Sequence, residues 1–170
     1  MDTRDIFTDA FGRISEGARR VAQGLPAPAL SYRPDPEANS VGWLVWHLTR
    51  VQDDHVSEIA GRTQAYIDDG WAERLGLSVD PHDTGYGHTP MQVAAVRFEG
   101  ADELLDYHHA VYRRTLEYLE TIGPDELERI IDRRWDPPVT VGVRLVSVID
   151  DSLEHVGQAG YVRGLYERLG

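Results

Sequence analysis

Two polar residues interrupt an apolar helical stripe near the C-terminus. In the stretch SVIDDSLEHVGQAGYV, Asp151 and His155 are four residues apart, which places them one turn apart on the same helical face. Val148 and Val162 share that face, so the pair does not lie on a solvated surface. Because burying an unpaired carboxylate costs several kcal/mol, Asp151 requires a cation, a strong hydrogen-bond donor or a water-filled cavity.

A histidine interrupts a second apolar stripe, in the stretch SVGWLVWHLTRVQDDH. His47 shares its face with Val51 and, two turns further on, with Asp54. If the two helices meet, His47, Asp151 and His155 form a set of two imidazoles and one carboxylate. Three such ligands leave a coordination position open, which is typical of a catalytic metal site. Each feature also has a plainer interpretation, as a hydrogen-bonded core histidine and an ordinary Asp–His pair.

Three other side chains are further candidates for the same pocket: Asp54, His108 and Arg163. Asp54 lies nearly in line with His47 but about 10 Å along the helix axis, so it either lines the pocket or pairs with an arginine such as Arg163. His108 shares a face with apolar residues and, in this interpretation, reaches the cavity as an acid or base. His55 points about 80° away from His47, which favours a place in the core or at an interface.

Four amphipathic segments must position these residues. Apolar side chains recur at three- and four-residue steps over about 3–24, 40–61, 101–121 and 140–168. This pattern predicts an all-α four-helix bundle, with residues 1–170 forming a single domain. The two long connections are expected to carry short helices, GWAERLGL and TPMQVAAVRF among them. No strand is predicted, and VTVGV at 139–143 is not taken as one.

The segment between those short helices, SVDPHDTGYGHTP, is rich in glycine and proline. Such a long, irregular connection is typical of a lid over a binding site, here over one end of the bundle. It contains His82 and His88, for which exposure to solvent is the default expectation. Trp43 and Trp46, which flank the histidine of the second predicted helix, are interpreted as packing residues.

Composition excludes several classes of partner. Twenty-nine acidic against seventeen basic residues give a net charge of −12, which repels nucleic acids and anionic membranes. The chain has no cysteine, so any thiol chemistry must use a thiol that arrives with the substrate. No run approaches the ~18–20 apolar residues of a membrane span, and MDTRDIF lacks the features of a signal peptide. A cytoplasmic protein is therefore expected.

The segments NSVGWLVWHLTRVQDDHV, QVAAVRF, LLDYHHAVYRRTLEYL and EHVGQAGYVRGLYE together resemble the DinB-like (DinB/YfiT) superfamily of metal-binding four-helix bundles. The nearest branch is the actinobacterial one with mycothiol-dependent enzymes, and the resemblance covers nearly the whole chain. It implies that the metal ligands are His47, Asp151 and His155. The chain departs from the family pattern at Asp151, where Glu or His is expected, and at Gln158, where many relatives carry another histidine.

The resemblance also implies a chemistry. Relatives of known activity bind a low-molecular-weight thiol such as mycothiol at a divalent metal, which lowers the thiol's pKa. Zinc is the expected ion, with nickel or iron as alternatives. The implied function is a thiol-dependent transferase or isomerase that acts on a small electrophilic substrate. Two alternatives stay open: a metal-dependent hydrolase that uses metal-bound water, and a non-catalytic homodimer with a degraded metal site.

Overall fold

A computed structural model describes residues 2–169 as helices with one very small sheet. In chain order the elements are α1 (Thr3–Ala22), α2 (Ala27–Ser31), α3 (Val41–Ala60), α4 (Ala65–Asp68), α5 (Trp71–Arg74), α6 (Pro90–Ala95), α7 (Ala101–Leu119), α8 (Pro124–Glu128), β1 (Ile130–Asp132), β2 (Val139–Thr140) and α9 (Val141–Glu167). The four long helices α1, α3, α7 and α9 form the bundle. The predicted all-α class is therefore confirmed.

Side-chain caps determine where three of the long helices begin. Asp2, Ser40 and Thr140 each accept a hydrogen bond from a backbone N–H group in the first turn of α1, α3 and α9, respectively. Helix α3 ends at Ala60 and is capped by Gly61, whose φ of 65° is left-handed and strains any residue that has a Cβ. These caps fix where α1, α3 and α9 begin.

The four long helices pack in the ring order α1, α7, α3, α9. Helix α3 contacts both α7 and α9, and α1 contacts the same two helices. Helices α1 and α9 approach closely, since a Cβ at Gly17 would lie 2.7 Å from Val156 Cγ1. Among the described residues, no helix combines the length and apolar character needed to cross a membrane. The core is built from fully buried side chains that include Phe11, Ile14, Leu44, Leu104 and Leu145.

The structure contains small elements that the sequence pattern did not predict. Helix α2 lies inside the proline-rich connector, and α8 precedes the sheet. The expectation of no strand is wrong, because β2 pairs antiparallel with β1 just before α9 begins. Strands of two and three residues are too short to display an alternation of period two. The VTVGV run is thus divided, with two residues in β2 and the rest in α9.

A buried histidine lies between α7 and α3, away from the metal-ligand candidates. Thr49 donates its hydroxyl proton to Val45 O, so it accepts a hydrogen bond from His108 Nδ1 at 2.9 Å. His108 Nε2 is buried and has no partner among the described residues. Burial, with a smaller contribution from His109, lowers the pKa of His108 to about 4.

His108 should make stability depend on pH. The unfolded chain takes up this proton below its ordinary pKa of 6.5, whereas the folded protein does so only near pH 4. The contribution of neutral His108 to the free energy of unfolding is therefore complete above about pH 6.5. It is lost as the pH falls towards 4, by roughly 3 kcal/mol in all. Denaturant unfolding at about pH 7 and about pH 4.5 measures this difference. The His108→Leu variant should lose most of this difference. An unchanged pH dependence in that variant would contradict the assignment of the difference to His108.

Candidate metal centre

Helices α3 and α9 bring His47, Asp151 and His155 together. One ligand atom from each of the three side chains lies within 4.8 Å of the others. His155 Nε2 is 3.5 Å from Asp151 Oδ1, and the rings of His47 and His155 meet edge to face with centroids 4.8 Å apart. His47 is only 5% exposed. This proximity makes the three side chains a candidate site for a cation.

The long connection between α5 and α6, which we call the lid, holds the imidazole of His47 in one orientation. Its Nδ1 donates a hydrogen bond to Thr84 O, which leaves Nε2 as the nitrogen available to a ligand. Trp43 stacks on the ring with the centroids 4.6 Å apart. Gly85 has a φ of +88°, and a Cβ there would lie 2.8 Å from Trp46 and 3.0 Å from His47 Nδ1. Glycine is therefore required where the lid crosses this histidine.

The second imidazole is oriented from within its own helix. His155 Nδ1 donates to Gln158 Oε1 at 2.8 Å, so that Nε2 faces Asp151. Gln158 stands at a position where the resemblance predicts another histidine. In this chain its amide oxygen supports a ligand candidate, which is the usual function of a residue placed behind a metal-binding imidazole.

One oxygen of the carboxylate has no partner in the described part of the chain. Asp151 Oδ1 faces His155, whereas Oδ2 is buried without a hydrogen bond. Burial raises the pKa of Asp151, but the hydrogen bond with His155 and the nearby imidazoles outweigh it, so the pKa is lowered overall. An orphaned, charged oxygen beside two imidazole nitrogens fits a divalent cation of the kind that prefers N and O ligands.

The two histidines have opposite pKa shifts. Burial lowers the pKa of His47 and outweighs the hydrogen bond to Thr84, which favours the charged form. Burial also lowers the pKa of His155, but hydrogen bonds with Asp151 and Gln158 outweigh it and raise the pKa overall. A proton therefore competes with a metal ion more strongly at His155 than at His47. Metal affinity should therefore decrease as the pH falls.

A cavity of about 530 Å³ opens beside these residues, a size suited to a small molecule. Asp54 lines it, as the sequence predicted in one of two alternatives, and its Oδ1 accepts a hydrogen bond from Gln64 Nε2 at 2.7 Å. His55 also lines it, although the sequence favoured the core or an interface. The lining residues are His47, Val51, Asp54 and His55 of α3, His82, Asp83, Thr84 and Tyr86 of the lid, and Ser147, Val148 and Asp151 of α9.

The profile of the mycothiol-S-transferase (MST) family matches residues 8–168. The chain belongs to the mycothiol-S-transferase family. This family is part of the DinB-like superfamily, so the resemblance found in the sequence is confirmed.

One solved structure is similar over almost its full length. It is described as the conserved protein of a locus from Enterococcus faecalis, and it superposes with a TM-score of 0.88. The two sequences are 32% identical, and the match covers 96% of each chain. A search of curated proteins gives no match.

Two sequence-predicted candidates lie away from the cavity in this mycothiol-S-transferase family member. His108 borders a groove between α1 and α7 and is bonded to Thr49, because its face of α7 turns towards the bundle interior. Arg163 lies two turns beyond His155 on α9, where it donates to Glu167 Oε1 and Arg20 O. Neither side chain lines the cavity, and Arg163 does not pair with Asp54.

The lid of this family member is held by two residues whose role the sequence did not indicate. His88 accepts a hydrogen bond from Trp43 Nε1 and donates to Asp83 Oδ1, and its side chain is only 10% exposed. The expectation that His88 is solvent-exposed is therefore wrong. Arg50, one turn after His47, is fully buried and donates to Pro81 O and Asp83 O. The feature of the sequence that could have indicated this role is an arginine within the apolar stripe of α3.

Proposed function

We propose that this chain is a metal-dependent mycothiol S-transferase in which His47, Asp151 and His155 hold one divalent cation. The observation that carries the proposal is the orphaned, buried Oδ2 of Asp151 beside two imidazoles whose outer nitrogens are already bonded. Membership of the mycothiol-S-transferase family supports the thiol as cosubstrate. The lack of cysteine agrees with a nucleophile that comes from outside the chain.

A bound divalent cation supplies Lewis-acid chemistry, since it lowers the pKa of a thiol and keeps the thiolate as the nucleophile. The residues of the chain would hold the ion and fix the orientation of its ligands. Asp151 contributes a negative charge, and the hydrogen bonds from His47 to Thr84 and from His155 to Gln158 keep both rings in position. The lid covers His47, which excludes water from this end of the cavity.

The donor set also bears on the identity of the ion. Two imidazoles and one carboxylate suit zinc, which catalytic sites bind through three protein ligands with one open position. Nickel and iron are the alternatives for the same donors. Homodimerisation and a cytoplasmic location stay predictions from the sequence.

A conjugation assay tests the proposal. The purified protein, loaded with zinc, is mixed with mycothiol and monochlorobimane, an uncharged electrophile that becomes fluorescent when sulfur replaces its chloride. We expect conjugation well above the uncatalysed rate, and we expect it to disappear when a chelator removes the metal. Glutathione in place of mycothiol is the matched control for thiol specificity.

Each of the other possible results of this assay would contradict a different part of the proposal. Conjugation that survives chelation would contradict the metal dependence. Zinc binding without any conjugation, over a panel of uncharged electrophiles, would contradict the transferase. Metal-dependent turnover of an ester in the absence of thiol would favour the hydrolase alternative. Failure to bind zinc, nickel or iron would favour the non-catalytic one.

A further inference from the structure

His55 and Arg144 form a pair at the end of the cavity away from the metal-ligand candidates. Arg144 Nη1 lies 2.7 Å from His55 Nδ1. A guanidinium only donates hydrogen bonds, so His55 Nδ1 must be the acceptor. The ring proton of the neutral imidazole therefore resides on Nε2. None of the described residues accepts a hydrogen bond from that nitrogen, and the His55 side chain is about one-third exposed, at 32%.

The electrostatic surroundings favour the neutral form of this imidazole. Burial lowers the pKa of His55, and the charge of Arg144 lowers it further, which outweighs the opposing carboxylates of Asp54 and Glu58. Asp54 Oδ2 lies 3.7 Å from His55 Nδ1, and Glu58 Oε2 lies 3.8 Å from Arg144 Nη1. His55 consequently has one defined donor, Nε2–H, on a side chain that lines the cavity.

The cavity separates this donor from the metal-ligand candidates. His55 follows His47 by two turns on α3, about 12 Å along the helix axis. On the antiparallel helix α9, Arg144 precedes Asp151 by two turns, about 10 Å. A small molecule in the cavity therefore has His47 and Asp151 towards one end and His55 towards the other.

The charge of the lining limits what is bound there. Asp54, Asp83 and Asp151 contribute carboxylates, and the described lining contains no arginine or lysine. Such a wall repels anionic molecules and accepts uncharged ones. A neutral N–H donor is suited to an atom that is uncharged in the bound molecule and becomes negative during the reaction.

We propose that His55 is a catalytic residue whose Nε2–H stabilises the negative charge that develops on an uncharged electrophile, with Arg144 as the positioning residue that fixes this tautomer. The inference rests on the proposed transferase function. The thiolate sulfur donates an electron pair to form the C–S bond, and the electron pair of the bond that breaks moves to the leaving atom. His55 donates a hydrogen bond to that atom and keeps its proton.

The tautomer is tested without any turnover. Isotope-edited NMR of the imidazole nitrogens distinguishes protonated from unprotonated ring nitrogens, and the spectrum of His55→Gln assigns the His55 signals. We expect the wild-type protein to have the Nε2–H form of His55 and the Arg144→Met variant to have a mixture of tautomers. An Nδ1–H form in the wild type would overturn the inference, whatever the activity of the protein.

Kinetics test the catalytic role with monochlorobimane and mycothiol. His55→Leu should lower kcat about ten- to a hundredfold, which is less than the ~100- to 1000-fold cost of losing an oxyanion-hole donor because chloride accepts hydrogen bonds more weakly than an oxyanion. His55→Gln, whose amide N–H reaches nearly the same point, should recover most of the rate. Zinc content and the KM for mycothiol should be unchanged in both variants, because His55 lies away from the metal-ligand candidates.

The experiments distinguish a failure of the proposed transferase function from a failure of the proposed role of His55. A wild-type protein that does not conjugate contradicts the proposed transferase, and the NMR measurement still decides the tautomer. A wild-type protein that conjugates, with His55→Leu at an equal kcat, overturns the role of His55 alone. Equal losses in the Leu and Gln variants would likewise overturn it, because a packing defect rather than a missing donor would then explain the loss.

Discussion

Replacing His47 or His155 by alanine should lower the affinity for zinc by more than about 100-fold. Each substitution removes one of the three converging ligand candidates, whereas loss of a supporting hydrogen bond alone typically costs 10–100-fold. Asp151→Asn should have a comparable effect, because it retains the size of the side chain and removes the charge that its buried Oδ2 carries without a partner. Competition with a chromophoric chelator measures the affinity.

A graded control is available in the same helix. Gln158→Leu removes only the acceptor of the His155 Nδ1 proton, so it should weaken zinc binding about 10–100-fold and less than His155→Ala does. His82→Ala, which changes an exposed residue of the cavity lining that is not a ligand candidate, should leave the affinity unchanged. Wild-type affinity in both His47→Ala and His155→Ala, with intact helical circular dichroism, would rule out the proposed metal centre.

Arg50→Met should lower the free energy of unfolding by about 3–5 kcal/mol, the usual effect of removing one partner from a buried ion pair. Arg50 is 0% exposed, and its Nη1 lies 3.6 Å from Oδ2 of Asp53, which is 1% exposed. Burial raises the pKa of Asp53, partly offset by hydrogen bonds from backbone N–H groups and Tyr107. Methionine cannot replace the charge, nor the bonds to the lid carbonyls of Pro81 and Asp83.

The matched control is an arginine–aspartate pair on the surface. Arg13 and Asp9 are four residues apart on α1, with side chains 72% and 57% exposed, so solvent screens the pair and Arg13→Met should lower stability far less than Arg50→Met does. Urea denaturation of both variants measures the difference. A similarly small loss in Arg50→Met would contradict the assignment of Arg50 as the essential partner of the buried Asp53. The lid effect has its own measurement, since Arg50→Met should also weaken zinc binding through the Thr84 contact of His47.

Periodicity in the sequence was enough to identify the four long helices and the interruptions in two of them. Apolar spacing of 3.6 residues is a local property, so the bundle and the shared face of Asp151 and His155 followed directly. The convergence of His47 with this pair could be predicted only on the condition that the inward faces of the two helices meet. The family followed from short motifs, and the profile of the mycothiol-S-transferases confirms it.

Tertiary structure decided which polar residues act together, because contacts between distant segments have no local signature. In the sequence Gln158 is only a departure from the family pattern and Arg50 only a charge within an apolar stripe, yet one orients His155 and the other binds the lid from inside α3. His55 lies 80° from His47 on an ideal helical wheel, and only the packing of α9, which brings Arg144 to its Nδ1, places it on the cavity. Hydrogen bonds across the bundle thus assign the roles that residue types and spacing leave open.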